Sequence, residues 1–249
     1  MPSLDRRLLL AIAAWCLAAA AGAAARPLSI TVYGGTGNIG QRIVQEALNR
    51  GHQVTVVARD PGQLTIKGSG LAVAKGDVSD STQVARMIAG QDVVISAVGV
   101  GRGAGNQGED FLQRAAVSLI TALRTFGAKA PRLIVVGGAS TLEVAPGVTL
   151  IEQMQQAAGN ANAQRGSGPM QQKLAFDYLH TIKDVPWSYF SPAMEISPGA
   201  RTGRFRLDVD HLVRDAAGRS RISIEDYAVA MIDEAEQAAH VHQRFTIGY

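Results

Sequence analysis

Residues 28–33 (LSITVY) form a short β-branched run that passes without a break into Gly34-Gly35-Thr36-Gly37-Asn38-Ile39-Gly40. This junction constrains the fold more than any other feature of the chain. A strand that ends in glycines at three-residue spacing and reopens as a helix reads as the β–turn–α unit that starts a doubly wound sheet. Beyond it, Ile43, Val44, Ala47 and Leu48 recur at helical spacing, and Asn49-Arg50-Gly51 is a helix stop. Each glycine has its own expected task. Gly34 permits the tight turn, Gly37 lets the backbone approach a pyrophosphate, and Gly40 lets the helix pack closely on the sheet. The N–H groups of Thr36, Gly37, Asn38 and Ile39 would then face an anion, aided by the helix dipole. The alternative is a glycine-rich turn with no ligand. The strand before it and the amphipathic helix after it favour the nucleotide site.

The rest of the chain continues the alternation. Strands are expected at 53–58, 71–74, 92–96, 132–136 and 187–190, and helices at 79–88, 109–126 and 169–182. Pro169 suits a first helical turn, and Leu174, Tyr178 and Ile182 fall on one apolar stripe. Continuous apolar strands separated by single helices imply a parallel sheet covered on both faces. The fold expected is therefore α/β, a Rossmann-type doubly wound parallel sheet in one domain, 26–249, with small C-terminal elements on the substrate side. No internal repeat or domain linker is visible. The stretch 157–168 (AAGNANAQRGSG) has low complexity and falls where a substrate lid would sit. Ser223-Ile-Glu-Asp226 reads as the N-cap of a helix over 225–236.

The first 25 residues are of a different kind. Arg6-Arg7 precedes 18 residues, 8–25, with no charge or strongly polar group, ending in Ala23-Ala24-Ala25. That order is the order of a secretory signal peptide, with cleavage after Ala25 and a periplasmic or secreted product. The paired arginines also resemble a twin-arginine signal, although Asp5 stands where a serine or threonine is usual. An uncleaved membrane anchor over 8–25 is the alternative. Trp15 before Cys16 is too bulky for a lipobox. The single cysteine excludes a disulfide scaffold, and 47% hydrophobic residues exclude disorder. A net charge of +3 with no basic run argues against a nucleic-acid partner. No metal-ligand cluster and no Gly-x-Ser-x-Gly elbow is present.

Further candidates stand at strand ends. Arg59 follows the second strand, where an arginine suits the 2′-phosphate of NADP and an acid the ribose of NAD. Asp60, one residue on, leaves NAD open. Asp77 and Val78 follow the third strand. Asp77 could accept from an adenine amino group or make a turn. Ala97, Val98 and Gly99 end the fourth strand, where small residues let a cofactor pass close to the backbone or simply form a turn. Arg201, Arg204 and Arg206 alternate near an expected hairpin, either lining an anionic substrate site or forming a solvated strand face.

The segments VYGGTGNIGQRIVQEALNRGHQVTVVARDP, LIVVGGASTLEVAPG, YFSPAMEISPGARTGRFRL, SRISIEDYAVAMIDE and RFTIGY resemble the atypical short-chain dehydrogenase/reductase superfamily. The similarity is greatest to its NADH-flavin reductase group, which is similar to flavin reductase/biliverdin reductase B. It covers nearly all of 28–249. The resemblance strengthens Asp77 as an adenine contact and implies that Pro192 and Ala193 border the nicotinamide. The wider superfamily carries a Tyr-x-x-x-Lys pair on the helix after the fifth strand. Here that stretch reads Pro169-Met-Gln-Gln-Lys173, with proline in the tyrosine position, and Tyr178 reads as core. Lys173 and Ser140, which matches a serine of flavin reductase/biliverdin reductase B, are the catalytic candidates, with Thr141 beside them. The activity implied is hydride transfer from NAD(P)H to a flavin, quinone or similar planar acceptor. A non-catalytic NADP(H)-binding sensor or assembly factor, and a sugar-nucleotide epimerase or dehydratase, remain the alternatives. Neither the substrate nor the oligomeric state is legible.

Overall fold

The computed structural model describes residues 26–100, 108–159 and 166–249. The expected signal segment and residues 160–165 of the expected lid lie outside the described residues. Strands β1 (Ser29–Tyr33), β2 (Gln53–Ala58), β3 (Leu71–Lys75), β4 (Val93–Ser96), β5 (Arg132–Val136) and β8 (Trp187–Ser191) stand where the apolar runs predicted them. Helices α1 (Asn38–Asn49), α2 (Ser81–Ile88), α3 (Phe111–Arg124) and α5 (Gly168–His180) connect them, and α6 (Ile224–Gln237) follows later. A hairpin of β6 (Glu143–Ala145) and β7 (Val148–Thr149), helix α4 (Leu150–Ala157), and a parallel pair of β9 (Glu195–Ser197) and β11 (Arg221–Ser223) complete the substrate-side elements.

The main sheet has the order β3-β2-β1-β4-β5-β8-β12-β10, with β12 (Gln243–Gly248) and β10 (Arg206–Asp208) at one edge. Every pairing is parallel except β10 with β12. The strand order reverses between β1 and β4, which makes that point the switch where ligands bind in open α/β sheets. Two cores flank the sheet. Ile43, Val44 and Ala47 of α1 and Tyr227, Met231 and Ile232 of α6 pack on one face. Val84 and Ile88 of α2, Leu119 and Leu123 of α3, and Ala175 and Leu179 of α5 pack on the other.

Three expectations need correction. The most buried residues of α5 are Gln171, Ala175 and Leu179, while Tyr178 is half-buried and packs against the same core as Ile182. Period alone left the phase of the stripe open, and the contact with α3 sets it. No hairpin forms near the three arginines, because Arg206–Asp208 pairs with the distant β12. Arg201 instead grips Glu46 of α1 in a bidentate pair (2.7 and 2.8 Å), and Arg206 donates to the Arg214 and Tyr249 carbonyls. Finally, the cap of α2 is Asp80, which accepts from Gln83 N, so the helix starts later than Ser79.

Helix α6 opens at Ser223, whose hydroxyl accepts from Asp226 N at 3.0 Å, as its sequence predicts. It closes at Ala238 in the left-handed region (φ 55°, ψ 41°). A Cβ is strained there and glycine is not. Ala238→Gly is expected to raise unfolding stability by about 0.5–1 kcal/mol, the relief of strain less the extra entropy of the unfolded chain. A urea midpoint that falls on this substitution would contradict the expectation.

Candidate functional site

The glycine turn is built by close approaches. Gly34 has φ +76°, and a Cβ there would lie 2.4 Å from the Ala97 carbonyl oxygen at the end of β4. A Cβ on Gly40 would lie 2.1 Å from the Gly34 carbonyl oxygen, and one on Gly35 would lie 2.8 Å from Val56. These three are glycine because the fold leaves no room. Gly37 differs. It is the extended N-cap of α1 (φ −78°, ψ 166°), and its Cβ would meet only the Gly34 oxygen, at an ordinary 3.4 Å. The protein itself tolerates a side chain at Gly37, so the open space there suits an outside group. Among the described residues no side chain caps α1, and no acid stands in its first turn. The amides at the helix start therefore point outward with the positive end of the dipole. The cradle fits a pyrophosphate.

Above the C-terminal ends of β1 to β4 runs a crevice of about 930 Å³. Gly34, Thr36, Gly37, Asn38, Ile39, Gly40, Arg59, Asp77, Val78, Ala97, Val98 and Gly99 all line it. The fold thus brings twelve dispersed candidates to one surface. Tyr33, Gln63, Ser79, Phe111 and Arg114 also line it, and were not singled out by sequence. Phe111 and Arg114 reach it because α3 starts beside the β4 end, a placement that no local pattern announces.

Two strand-end carboxylates have defined positions. Asp60 accepts from Gly62 N (3.2 Å) and Gln63 Nε2 (3.0 Å), capping a short turn after β2. Arg59, and not Asp60, is the charged residue of that strand end on the crevice wall. Asp77 makes the turn read for it and also lines the crevice. One carboxylate oxygen accepts from Ser79 N at 2.8 Å and holds the turn, while the residue stays exposed on the crevice wall.

Tyr33 ends β1 at the floor of the crevice, 2% exposed, with a hydroxyl that has no hydrogen-bond partner among the described residues. Burial, helped by the charge of Asp80, pushes its pKa far up, so it stays a neutral donor. An unmet buried hydroxyl is destabilising. Tyr33→Phe is expected to stabilise the protein by about 1 kcal/mol, read as an upward shift in urea midpoint. A fall of similar size would mean that the hydroxyl has a partner in solution.

The catalytic candidates form a far end of their own, beyond the lining of the crevice. Ser140 is buried, and its hydroxyl donates to the Pro169 carbonyl at 3.1 Å, joining the end of β5 to the start of α5. Thr141 contacts Ser191 through their hydroxyls at 3.1 Å. Lys173 sits one turn on, with its ammonium 2.6 Å from Asp177 of the same helix. Pro192 and Ala193 are buried after β8, and neither lines the crevice. Gly137 and Gly138 are small for internal reasons. A Cβ on Gly137 would strike the Tyr189 ring at 2.3 Å, and one on Gly138 would meet Gln172 at 2.8 Å. The Tyr189 hydroxyl donates to Gln172 Oε1 at 2.7 Å and is fully buried, which pushes its pKa far up.

Comparison with known proteins agrees with this geometry. Residues 34–235 match the family model described as NAD(P)H-binding. The chain is 40% identical to a Burkholderia pseudomallei protein of solved structure named "putative exported protein", with a TM-score of 0.75 over 89% of this chain and 100% of that one. A Bacteroides thetaiotaomicron structure named "putative epimerase" is 35% identical, with a TM-score of 0.75 over 90% of this chain and 98% of that one. A Streptococcus pneumoniae structure named "putative NADH-flavin reductase" is 25% identical, with a TM-score of 0.70 over 89% of this chain and 99% of that one.

Proposed function

Because the chain belongs to the NAD(P)H-binding family, we propose that it is a reductase that passes hydride from NAD(P)H to a planar acceptor, a flavin or quinone. The observation that carries this reading is the crevice that gathers the glycine turn and the ends of β2, β3 and β4, while the catalytic candidates are taken up in internal bonds. Proline stands in the tyrosine position, Lys173 is held by Asp177, and the Ser140 hydroxyl is given to Pro169. Bound NAD(P)H would supply the hydride, and a flavin or quinone accepts it by stacking and alignment without a strong protein acid. The chain's own residues hold and orient: the α1 amides the pyrophosphate, Asp77 the adenine, and Arg59 a 2′-phosphate. Arg59 on the crevice wall supports NADPH over NADH.

The same far end supports a second reading, a nucleotide-binding sensor or assembly factor without turnover. The epimerase or dehydratase reading is weaker. Such chemistry needs a proton-transfer residue at the nicotinamide, and the tyrosine is absent. The test is an NADPH- and NADH-oxidation screen against flavins and quinones with protein lacking 1–25. Acceptor-dependent oxidation with NADPH preferred is the expected result. Tight binding with no oxidation favours the sensor, and neither binding nor oxidation overturns both.

Residues 1–25 are proposed to direct export and to be cleaved after Ala25. Among the described residues no helix is long and apolar enough to cross a membrane. Arg26 is already tied to the domain through Asp92 (2.5 and 3.1 Å), so the folded unit extends to the expected cut. Sequencing of periplasmic protein should begin at Arg26, and an intact Met1 would remove the cleavage claim.

A further inference from the structure

We propose that Gln171 is a positioning residue that sets one wall of the nucleotide crevice from a neighbouring helix. The proposal rests on the reading of that crevice as the NAD(P)H site. Gln171 lies in 169–173, the stretch for which the superfamily resemblance implied a tyrosine and a lysine. In this chain the stretch holds structure together. Pro169 accepts from Ser140, Gln172 accepts from Tyr189, and Lys173 pairs with Asp177.

Gln171 is 3% exposed, and its amide makes three bonds. Nε2 donates to the Gly108 and Gly166 carbonyls, each at 3.2 Å, and Oε1 accepts from Leu112 N at 3.4 Å. Leu112 N is one of the first amides of α3, which have no partner within their own helix. The N-cap residue of α3, Asp110, makes no side-chain cap bond. Helix α3 is therefore capped from α5. The requirement is stringent. Two carbonyls and one N–H meet at one buried point, and a primary amide supplies two donors and an acceptor together. Glutamate lacks the donors, and methionine lacks both functions.

The consequence falls on the crevice. The first turn of α3 carries Phe111 and Arg114 into its wall, and Arg114 is steadied by Asp110 at 2.9 Å. Loosening Leu112 loosens that wall before any ligand arrives. Part of the binding free energy would then go into ordering it. Among the described residues the Gln171 side chain bonds only to Gly108, Gly166 and Leu112 and to none of the catalytic candidates, so affinity should suffer more than turnover.

The test compares wild type, Gln171→Met and Gln171→Glu by NADPH titration, steady-state kinetics and amide exchange. His52→Ala serves as a control for general destabilisation, because it removes bonds to Leu28 N and Glu236 far from the crevice. Both Gln171 variants should weaken NADPH binding and raise KM about tenfold, with kcat changed less than about twofold. The Leu112 amide should exchange at least about tenfold faster while β1 amides stay protected. His52→Ala should lower the unfolding midpoint without moving KM. Should Gln171→Glu fail to fold, the apolar isostere Gln171→Met carries the test. Unchanged KM and unchanged Leu112 exchange, or KM shifts equal to those of His52→Ala, overturn the proposal. Absence of NADPH binding by wild type overturns the reading of the crevice, and the proposal with it, whatever the Leu112 amide does.

Discussion

Gly37→Val is expected to abolish NAD(P)H binding while leaving the fold intact, and Gly40→Ala is expected to do the reverse in order of cause. At Gly37 the backbone is extended, and a new Cβ meets nothing closer than 3.4 Å. Valine is a poorer N-cap than glycine but restricts the unfolded chain, so stability should change by no more than about 1 kcal/mol. Its methyl groups would occupy the space where a pyrophosphate approaches the α1 amides. Loss of those contacts should weaken NADPH at least about a hundredfold, the equivalent of two steps of ~1.4 kcal/mol. At Gly40 the added Cβ would lie 2.1 Å from a backbone oxygen that cannot rotate away. Either α1 or the turn must shift, at about 3 kcal/mol or more. Binding would be lost there as a result of misfolding. Urea denaturation and NADPH fluorescence titration on both variants separate the two causes. Normal binding by Gly37→Val would show that the pyrophosphate lies somewhere other than this turn.

The contrast between those two glycines marks what the sequence could convey. The β1–turn–α1 unit was readable because its rules are local: a β-branched run, three spaced glycines, then a helical period. β2, β4, β5 and β8 were readable as continuous apolar runs for the same reason. β12 was not assigned as a strand, although its segment RFTIGY belonged to the family resemblance, because its partner β8 lies more than fifty residues away. A hairpin is the expectation near Arg201, Arg204 and Arg206 because neighbours in sequence are the default pairing, whereas β10 pairs with the distant β12. Within the site, the candidates of the glycine turn and of the ends of β2, β3 and β4 share one crevice, whereas Ser140, Lys173, Pro192 and Ala193 do not line it. Phe111, Arg114 and Gln171 could not be found, because their positions depend on how α3 and α5 meet. Gly137 and Gly138 show the converse. A glycine pair at a strand end resembles a cofactor passage, yet here it makes room for Tyr189 and Gln172.

Asp226→Ala is expected to cost about 3–5 kcal/mol, because it removes a buried charge on which a whole loop depends. Asp226 is 0% exposed. One oxygen accepts from Thr202 N (2.7 Å) and Gly203 N (2.8 Å), and the other from Thr202 Oγ1 (2.6 Å) and the Tyr249 hydroxyl (2.8 Å). The loop before β10, the start of α6 and the end of β12 thus converge on one carboxylate. Burial alone would push its pKa up, but the bonds from Thr202, Gly203 and Tyr249 outweigh it, and the pKa is lowered. A carboxylate whose folded pKa is depressed contributes stability that is present above its unfolded pKa, about 3.9 for aspartate. That contribution is lost as pH falls below this value through the folded pKa. Asp226→Asn tests the charge apart from the shape. Both hydroxyls can rotate to accept from the new amide, so the loss at pH 7 should be smaller, about 1–2 kcal/mol. The asparagine variant should also lose less of its remaining stability below about pH 4 than wild type does, since it has no proton to take up there. Urea midpoints at pH 7 and at pH 3 give both comparisons. Equal losses in the alanine and asparagine variants would mean that the asparagine amide recovers none of the four bonds, and acid limbs parallel to that of wild type would mean that the lowered pKa of Asp226 contributes nothing to stability.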